Sequence, residues 1–219
     1  MTKELKNRIL TSFFLLSLLI LMNYHTYILI ISLIIIFLIT WIEFYGLISK
    51  ILKKNDLHEK ILRILLKFIS LCFLFFLSFV IVSNYLSDSK FFLVYSIFVA
   101  IMSDIGGLMI GRVFKGKKLT KISPKKTISG SLGAFTFSIL LIPIFFKNLL
   151  INDYLILVTI TLIISLTSQL GDLFISLLKR KANVKNTSNL LPGHGGFLDR
   201  IDGIIFAIPI GILLFSFFK

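Results

Sequence analysis

The chain has 219 residues, of which 57% are hydrophobic and 16% are charged, with a net charge of +14 and a mean hydropathy of +0.97. A soluble domain cannot bury so much apolar surface, so this composition predicts an integral membrane protein. The single cysteine, Cys72, excludes an intramolecular disulfide and a metal site built from several cysteines.

Seven apolar runs predict membrane helices, since a helix that spans a bilayer needs about 20 apolar residues. Basic residues precede the first run, as in a signal peptide, but no small-residue cleavage site follows it, and we expect a retained membrane segment. The first and last runs are short for a span. We therefore predict an all-α, polytopic membrane helical bundle of about seven transmembrane helices, in residues 9–22, 27–48, 62–83, 91–113, 130–149, 154–177 and 203–218.

The basic residues predict the orientation of these helices. With the N-terminus in the cytoplasm and one crossing for each run, 21 of the 24 lysines and arginines fall on the cytoplasmic side. Such an excess is typical of cytoplasmic loops. The basic residues of 50–67 have an alternative explanation, which is attraction to anionic lipid headgroups. Three residues fall on the other side: Lys90, Lys147 and Lys219.

Three carboxylates lie within or at the end of apolar runs, where an ionised side chain is costly and is usually functional or paired. Glu43 lies beside Trp41 and Tyr45, and we interpret it as an interfacial residue outside any site. The two carboxylates with a more informative context are Asp104 and Asp172.

Asp104 shares a helix face with Gly107 and Gly111 in the segment SDIGGLMIGRVFKGKK. Glycines allow the backbone of another helix to approach closely, so we expect this acid to face protein and not lipid. A role in substrate binding and a role in helix packing are both open for Asp104.

Asp172 belongs to a polar stripe on the otherwise apolar helix of SLTSQLGDLFISLLKR. Spacings of three and four residues place the members of the stripe on one helix face, which runs towards a cytoplasmic loop. For the serine and glutamine members, hydrogen bonding between membrane helices is the alternative. The stripe consists of Ser165, Gln169, Asp172, Ser176 and Lys179.

The segment LLPGHGGFLDRID concentrates glycine, histidine, arginine and aspartate in an otherwise apolar chain. Glycines allow backbone N–H groups to converge on an anion, and arginine is a bidentate phosphate donor. Asp199 and Asp202, three residues apart, would be neighbours on a helix. Carboxylates without cysteine suit Mg²⁺ and not zinc, so the segment predicts a site for a metal-bound polyphosphate. An ordinary glycine-rich turn with surface charges is the alternative.

The segment KISPKKTISGSLG fits the same ligand, because lysines and hydroxyls ahead of a helix N-terminus suit phosphate. No GxxxxGK[ST] pattern occurs, so this loop is not a P-loop. A positively charged cytoplasmic loop without a binding role is the alternative. The candidate phosphate-binding residues are Ser123, Lys125, Lys126 and Thr127.

The segment SLLKRKANVKNTSNLLPGHGGFLDRID closely resembles the signature of the phosphatidate cytidylyltransferases, the CDP-diacylglycerol synthases of bacterial phospholipid synthesis. QLGDL, ISPKKT and DIGGLMIGRVFKGKKL are also similar to family segments and occur in the family order. The resemblance covers roughly residues 100–219.

This resemblance implies an all-helical polytopic enzyme that joins CTP and phosphatidic acid, giving CDP-diacylglycerol and pyrophosphate at the cytoplasmic face of a bacterial inner membrane. It implies N-terminal membrane helices in 1–99 and a catalytic membrane domain in 100–219, with cytoplasmic loops 114–129 and 178–202. The expected partners are CTP, phosphatidic acid, membrane lipids and, by family analogy, a second copy of the chain in a homodimer. No nucleic acid is expected.

The family's metal-binding aspartates correspond to Asp172 and Asp199, which would hold Mg²⁺, with a second cation left open. The other residues with an expected catalytic role, which neutralise or contact phosphate, are Lys179, Arg180, Lys185, His194 and Arg200. The expected substrate-binding residues are Ser123, Lys125, Lys126, Thr127, Gly193, Gly195, Gly196, Asp202 and Asp104.

Three positions depart from the family pattern, each by the loss of a carboxylate: Ser129, Ile175 and Asn186. They leave three alternatives open. One is a related CTP-dependent membrane enzyme with another lipid acceptor, and another is a non-catalytic scaffold. The third is a transporter or channel that uses Asp104 and Asp172 as an ion path.

Overall fold

A computed structural model describes most of the chain, and its named elements are all helices. The described residues are 10, 13, 17–18, 20–22, 24–53, 56–87, 89–149, 151, 153–192 and 195–218. The helices are α1 (Thr26–Ile51), α2 (Leu57–Tyr85), α3 (Lys90–Phe114), α4 (Ile128–Ile139), α5 (Ile142–Phe145), a 3₁₀ turn (Phe146–Asn148), α6 (Tyr154–Lys181), α7 (Leu198–Ile201) and α8 (Ile204–Phe218).

Six stretches of these residues are long and apolar enough to cross a membrane, which confirms the last six predicted runs and the all-α fold. They are α1, α2, α3, the pair α4–α5, α6 and the pair α7–α8. The first predicted run, 9–22, lies largely outside the described residues. α2 begins at Leu57, so the basic residues Lys60, Arg63 and Lys67 lie on a helix and not on a loop.

The predicted run 130–149 is interrupted and is not one continuous helix. α4 ends at Ile139, and Pro143 stands at the start of α5. Proline lacks the N–H that would bond to the carbonyl four residues earlier, and it is tolerated in a first helical turn. The chain therefore restarts its helix at Ile142.

The described chain divides into two compact units, which we treat separately. The first unit comprises Met1–Phe79 and Leu178–Arg200, and the second comprises Val80–Leu177 and Ile201–Lys219. These units reflect spatial compactness, and they do not test the predicted division of function between 1–99 and 100–219.

In the first unit, two contacts join α1 to α2. The Lys67 ammonium lies 3.3 Å from the centroid of the Tyr45 ring, and Arg63 Nη1 donates to the Leu52 carbonyl at 3.3 Å. A cation over an aromatic face is attracted by the ring quadrupole. Part of the basic group of 50–67 therefore has a role in helix packing.

The second unit has a hydrophobic core to which α3, α5, α6 and α8 contribute. Phe92 and Phe215 stack with ring centroids 4.6 Å apart, and Tyr95 packs edge-on against Phe215. The buried Tyr95 hydroxyl shares a 2.6 Å hydrogen bond with Thr161, as a buried polar group requires.

The glycines of α3 bring it against α4, as the sequence predicts. A Cβ added at Gly133 would lie 2.4 Å from Ile110 Cβ and 2.7 Å from the Gly106 carbonyl oxygen. At Gly130 it would lie 2.7 Å from the Gly107 carbonyl oxygen. Larger residues at these positions would push the two backbones apart.

Candidate active site

In the second unit, Ser165 and Gln169 of the α6 stripe form hydrogen bonds to other helices. The Ser165 hydroxyl shares a 3.0 Å hydrogen bond with Ser103 of α3. Ser131 of α4 donates to Gln169 Oε1 at 2.6 Å. The two stripe residues nearest the start of α6 therefore join helices, which was the alternative interpretation of this part of the stripe.

Asp172, one turn further along α6, forms an ion pair with Lys126. Both side chains are about one quarter exposed, at 23% and 26%. Ser176 donates a longer, 3.3 Å hydrogen bond to Asp172 Oδ1. Asp104 interacts electrostatically with both members of the pair. The second unit thus brings together three residues that the sequence selects separately.

Asp104 is exposed on α3, yet it lies close enough to Asp172 and Lys126 to interact with both charges. Its partners are therefore protein side chains of other segments, in line with the expectation that this acid faces protein. The close contacts between α3 and α4 described above are made by the glycines themselves.

The lysine-rich loop folds back on itself as a short antiparallel pair. Leu119 N donates to the Lys126 carbonyl at 2.8 Å, and Ile128 N donates to the Lys117 carbonyl at 3.0 Å. Lys126 N also donates to the Ser123 carbonyl at 3.0 Å, which closes the tip of the loop. These bonds fix the backbone from which Lys126 reaches Asp172, whereas Lys125 is exposed.

Thr127 lies at the start of α4, as expected, but its hydroxyl is already engaged. It accepts a 3.1 Å hydrogen bond from Gly130 N and therefore caps the helix. Its Oγ1 also lies 3.1 Å from Ser129 Oγ, and Ser129 donates to the Lys115 carbonyl at 2.9 Å. Ser129 is one of the three positions that depart from the family pattern. It lies in α4, and its hydroxyl joins that helix to the lysine-rich loop.

In the first unit, two backbone hydrogen bonds cap the C-terminus of α6. Asn183 N donates to the Arg180 carbonyl and Val184 N to the Lys179 carbonyl, both at 3.0 Å. Asn183 has φ 53°. This pattern is a Schellman motif, in which asparagine tolerates the left-handed position better than most residues. It directs the chain into residues 184–197, which we call the signature loop.

The signature loop is closed at its glycine-rich tip. Leu191 N donates to the Gly195 carbonyl at 2.8 Å, and Gly195 N returns a 3.1 Å bond to the Leu191 carbonyl. Gly195 has φ 86°, a conformation that favours glycine. The candidate residues Gly193 and His194, which lie between Pro192 and Gly195 in sequence, are outside the described residues.

Asp199, on α7, forms hydrogen bonds to Lys179 and to two residues of the signature loop. Its Oδ1 accepts from Lys179 Nζ at 2.7 Å. Its Oδ2 accepts from Thr187 N at 2.9 Å and from Gly196 N at 3.1 Å, and it lies 3.1 Å from the Thr187 hydroxyl, whose single proton is shared with Glu43. The predicted carboxylate, lysine and glycine therefore form one hydrogen-bonded group.

Glu43 of α1 is part of the same network, which the sequence interpretation missed. It is only 3% exposed and accepts hydrogen bonds from Thr187, Ser188, Phe197 and Leu198. The interpretation of Glu43 as an interfacial residue is therefore wrong. The signal that could have found it is the carboxylate itself, since a charge in an apolar helix needs partners.

The remaining candidates have different surroundings. Asp202 is 7% exposed, and its Oδ1 accepts from Gly203 N at 3.0 Å. α7 ends at Ile201, so Asp202 lies in the turn after the helix that carries Asp199. The exposed basic candidates are Arg180, Lys185 and Arg200.

Two departures from the family pattern also have defined surroundings. Ile175 is fully buried, at 0% exposure, so a carboxylate there would be surrounded by protein. Asn186 is exposed and lies against the loop tip, because a Cβ added at Gly195 would lie 3.1 Å from its side chain.

The carboxylates differ in how well they fit a Mg²⁺ ligand. No cluster of three or more His, Cys, Asp or Glu side chains suited to a metal occurs in the described part of the chain. Mg²⁺ is commonly held by one or two carboxylates together with substrate phosphates. Asp172 fits that role, since it is partly exposed and has one lysine and one long hydroxyl contact. Asp199 offers less room for a metal ion, because Oδ2 is surrounded by loop donors and Oδ1, which accepts from Lys179, has one lone pair left.

A family model matches this chain along nearly all its length, and individual relatives match part of it. A model of the cytidylyltransferase family matches residues 1–218. A phosphatidate cytidylyltransferase of Rickettsia bellii is 39% identical over 165 residues, which are 70% of this chain and 69% of that protein. Enzymes of the same name from Staphylococcus haemolyticus and Bacillus subtilis are 39% and 36% identical. Those two alignments cover 57% and 69% of this chain, and 48% and 56% of the relatives.

Proposed function

The chain belongs to the cytidylyltransferase family, and on that premise we propose that it transfers the cytidylyl group of CTP to phosphatidic acid. The products are CDP-diacylglycerol and pyrophosphate. The observation that carries the proposal is the network of Asp199 with Lys179, Thr187 and Gly196. This network builds the segment that resembles the family signature into one closed loop.

The membrane setting follows from the two substrates. Phosphatidic acid resides in the bilayer and CTP in the cytosol, so an enzyme at the cytoplasmic face reaches both. Six stretches of the described residues are long and apolar enough to hold the chain in the membrane, and 21 of its 24 basic residues support a cytoplasmic position for both loops. In a bacterium, this membrane is the inner membrane.

The charged side chains have two roles in this proposal: the carboxylates bind metal and the basic residues bind phosphate. Asp172 and Asp199 are the residues that would hold Mg²⁺, which when bound would offset the charge of the triphosphate and of the departing pyrophosphate. Lys126 and Lys125 supply positive charge beside the N-terminus of α4, a setting that favours phosphate. Around the signature loop, the same role belongs to Lys179, Arg180, Lys185 and Arg200.

The reaction needs little proton transfer. A phosphate oxygen of phosphatidic acid attacks the α-phosphorus of CTP, the bond to the β-phosphate oxygen breaks, and pyrophosphate leaves with that electron pair. The attacking oxygen is already an anion, so no strong general base is required. Catalysis by positioning and charge stabilisation is therefore sufficient.

A single-turnover assay tests this proposal. Purified protein in detergent receives radiolabelled CTP, Mg²⁺ and phosphatidic acid, and the lipid product and pyrophosphate are measured together. We expect both to form in equal amounts. A panel of other lipid phosphates replaces phosphatidic acid in parallel reactions, and label on another acceptor alone would reassign the substrate. Absence of pyrophosphate with every acceptor would refute nucleotidyl transfer and favour a transporter or a scaffold.

A further inference from the structure

Glu43 is a buried carboxylate whose described partners are all uncharged. It lies in α1, a helix long and apolar enough to cross a membrane. Burial of an ionised group is costly unless hydrogen bonds replace its hydration. The four hydrogen bonds to Glu43 come from two hydroxyls and two backbone N–H groups of the signature loop and α7.

The four bonds are divided evenly between the two oxygens. Oε1 accepts from Ser188 Oγ at 2.5 Å and from Phe197 N at 2.9 Å. Oε2 accepts from Thr187 Oγ1 at 2.9 Å and from Leu198 N at 2.7 Å. Each oxygen therefore joins one residue before the glycine-rich tip to one residue after it. The carboxylate holds the two ends of the signature loop together.

Thr187, which contacts Glu43, also contacts Asp199. The Thr187 hydroxyl lies within hydrogen-bond distance of both Glu43 Oε2 and Asp199 Oδ2, and Thr187 N also donates to Asp199. A Cβ added at Gly196 would lie 1.8 Å from Thr187 Oγ1 and 2.9 Å from Glu43 Oε2. The loop is thus packed closely around both carboxylates.

The four hydrogen bonds at position 43 require a carboxylate and not an amide. Glutamine has the same shape, but it offers one acceptor oxygen and one NH₂ group. A hydroxyl can rotate to accept from the NH₂ group, whereas a backbone N–H cannot. In either orientation, glutamine would direct a donor at Phe197 N or at Leu198 N and leave that buried amide without an acceptor.

From this geometry we infer that Glu43 is a positioning residue for nucleotidyl transfer. It acts by holding residues 187 and 188 against residues 197 and 198, so that Asp199 keeps its contacts with Lys179 and the loop. The catalytic part of this inference rests on the proposed function, whereas the loop-holding part does not.

Hydrogen exchange of the loop tests the structural part in the full-length protein. Glu43→Gln should raise the exchange rates of the Phe197 and Leu198 amides roughly 10- to 100-fold, the size expected for loss of one charge-assisted hydrogen bond. Exchange in α3 and α6 should not change. Thr40→Val is the matched control. Thr40 is also buried on α1, 1% exposed, and its hydroxyl has no partner among the described residues.

Transfer kinetics on the same samples, per folded molecule, test the positioning role. Glu43→Gln should lower kcat/KM for CTP by a similar factor, while Glu43→Asp, which keeps both acceptors, should recover part of it. Thr40→Val should match the wild type. A purely structural role would reduce the folded fraction and leave the kcat/KM of the folded molecules unchanged, and that result would overturn the inference.

Ser188→Ala covers the case in which Glu43→Gln does not fold. It removes one donor to Glu43 and should also raise loop exchange and lower kcat/KM, so wild-type values in both measurements would overturn the inference. A wild-type protein without transfer, whose loop still loosens in Glu43→Gln, would refute the proposed function while the loop-holding role stands.

Discussion

Lys179 and Asp199 lie twenty residues apart in sequence, and their Nζ and Oδ1 atoms are 2.7 Å apart. The ion pair joins the last turn of α6 to α7, so that both ends of the signature loop are fixed. Both side chains are largely buried, at 15% and 9% exposure. Removal of either partner would leave an uncompensated charge, which is usually more costly than loss of an exposed pair.

The two aspartates expected to bind metal should differ when they are neutralised. Asp172→Asn and Asp199→Asn should each lower transfer at least about 100-fold, the scale for loss of transition-state charge stabilisation. Asp199→Asn should also loosen the signature loop, because an amide would direct its NH₂ group either at Lys179 or at the backbone N–H groups of Thr187 and Gly196. Asp56→Asn is the control, since Asp56 is exposed at the start of α2 and asparagine caps helices equally well. Near-normal turnover of Asp172→Asn would remove it from the metal site.

The buried position of Ile175 favours a packing role. Ile175→Glu places a carboxylate where the side chain is 0% exposed, so we expect a loss of stability of several kcal/mol. Thermal unfolding in detergent should show a lower midpoint, with Ile175→Leu close to wild type. The Mg²⁺ concentration for half-maximal rate should not change in the remaining folded protein. A stable variant with a lower Mg²⁺ requirement would instead place this position in the metal site.

Gly196 should not accept a side chain. A Cβ in Gly196→Ala would lie 1.8 Å from the Thr187 hydroxyl oxygen, so the loop must shift away from Glu43 and Asp199. We expect transfer to fall at least about tenfold, the effect of one lost hydrogen bond to a charged group. Gly46→Ala is the control, because nothing lies within 4 Å of an added Cβ there and alanine favours the helix. Equal activity of the two variants would contradict the loop geometry.

Neighbouring glycines of α3 offer a test of helix packing. A Cβ at Gly106 would lie 2.4 Å from the Gly133 carbonyl oxygen, whereas one at Gly107 would lie 3.6 Å from its nearest neighbour. Gly106→Ala should therefore lower the unfolding midpoint, with a cost of about 1–3 kcal/mol typical of overpacking. Gly107→Ala should be neutral or slightly stabilising. The reverse order of stability would show that α3 and α4 pack differently.

Cysteine labelling tests the orientation of the loops. In a Cys72→Ser background, Lys121→Cys and Asn189→Cys should be protected from a membrane-impermeant thiol reagent in intact cells. Ser87→Cys, between α2 and α3, should react. All three native residues are exposed, so protection reports the membrane and not burial within the protein. Labelling of Lys121→Cys or Asn189→Cys from outside would reverse the orientation and exclude a cytoplasmic site.

Local sequence patterns were sufficient for most of the helices and for many candidate residues. The α3 glycines predicted the contact with α4, and the lysines of the 114–129 loop include the partner of Asp172. Glu43 was missed because its partners lie at least 144 residues away in sequence, while its neighbours Trp41 and Tyr45 suggest a membrane interface. The sequence selected Asp104, Asp172 and Lys126 separately, but it could not show that they interact, because they lie on separate segments of the chain.

The large sequence separation of Glu43 from its partners has a consequence for biogenesis. The donors to its carboxylate follow 144 to 155 residues later, so a ribosome that adds about 5–20 residues per second supplies them only after roughly 7–30 s. A charged residue at the centre of a membrane helix costs about 2.5–3.5 kcal/mol on insertion scales, and Glu43, which lies in the second half of α1, should cost somewhat less. Chains truncated before Thr187 should therefore retain α1 in the membrane less efficiently than chains completed through α7. Glu43→Leu should remove that dependence on chain length, which makes stable insertion of α1 a late event that requires the signature loop.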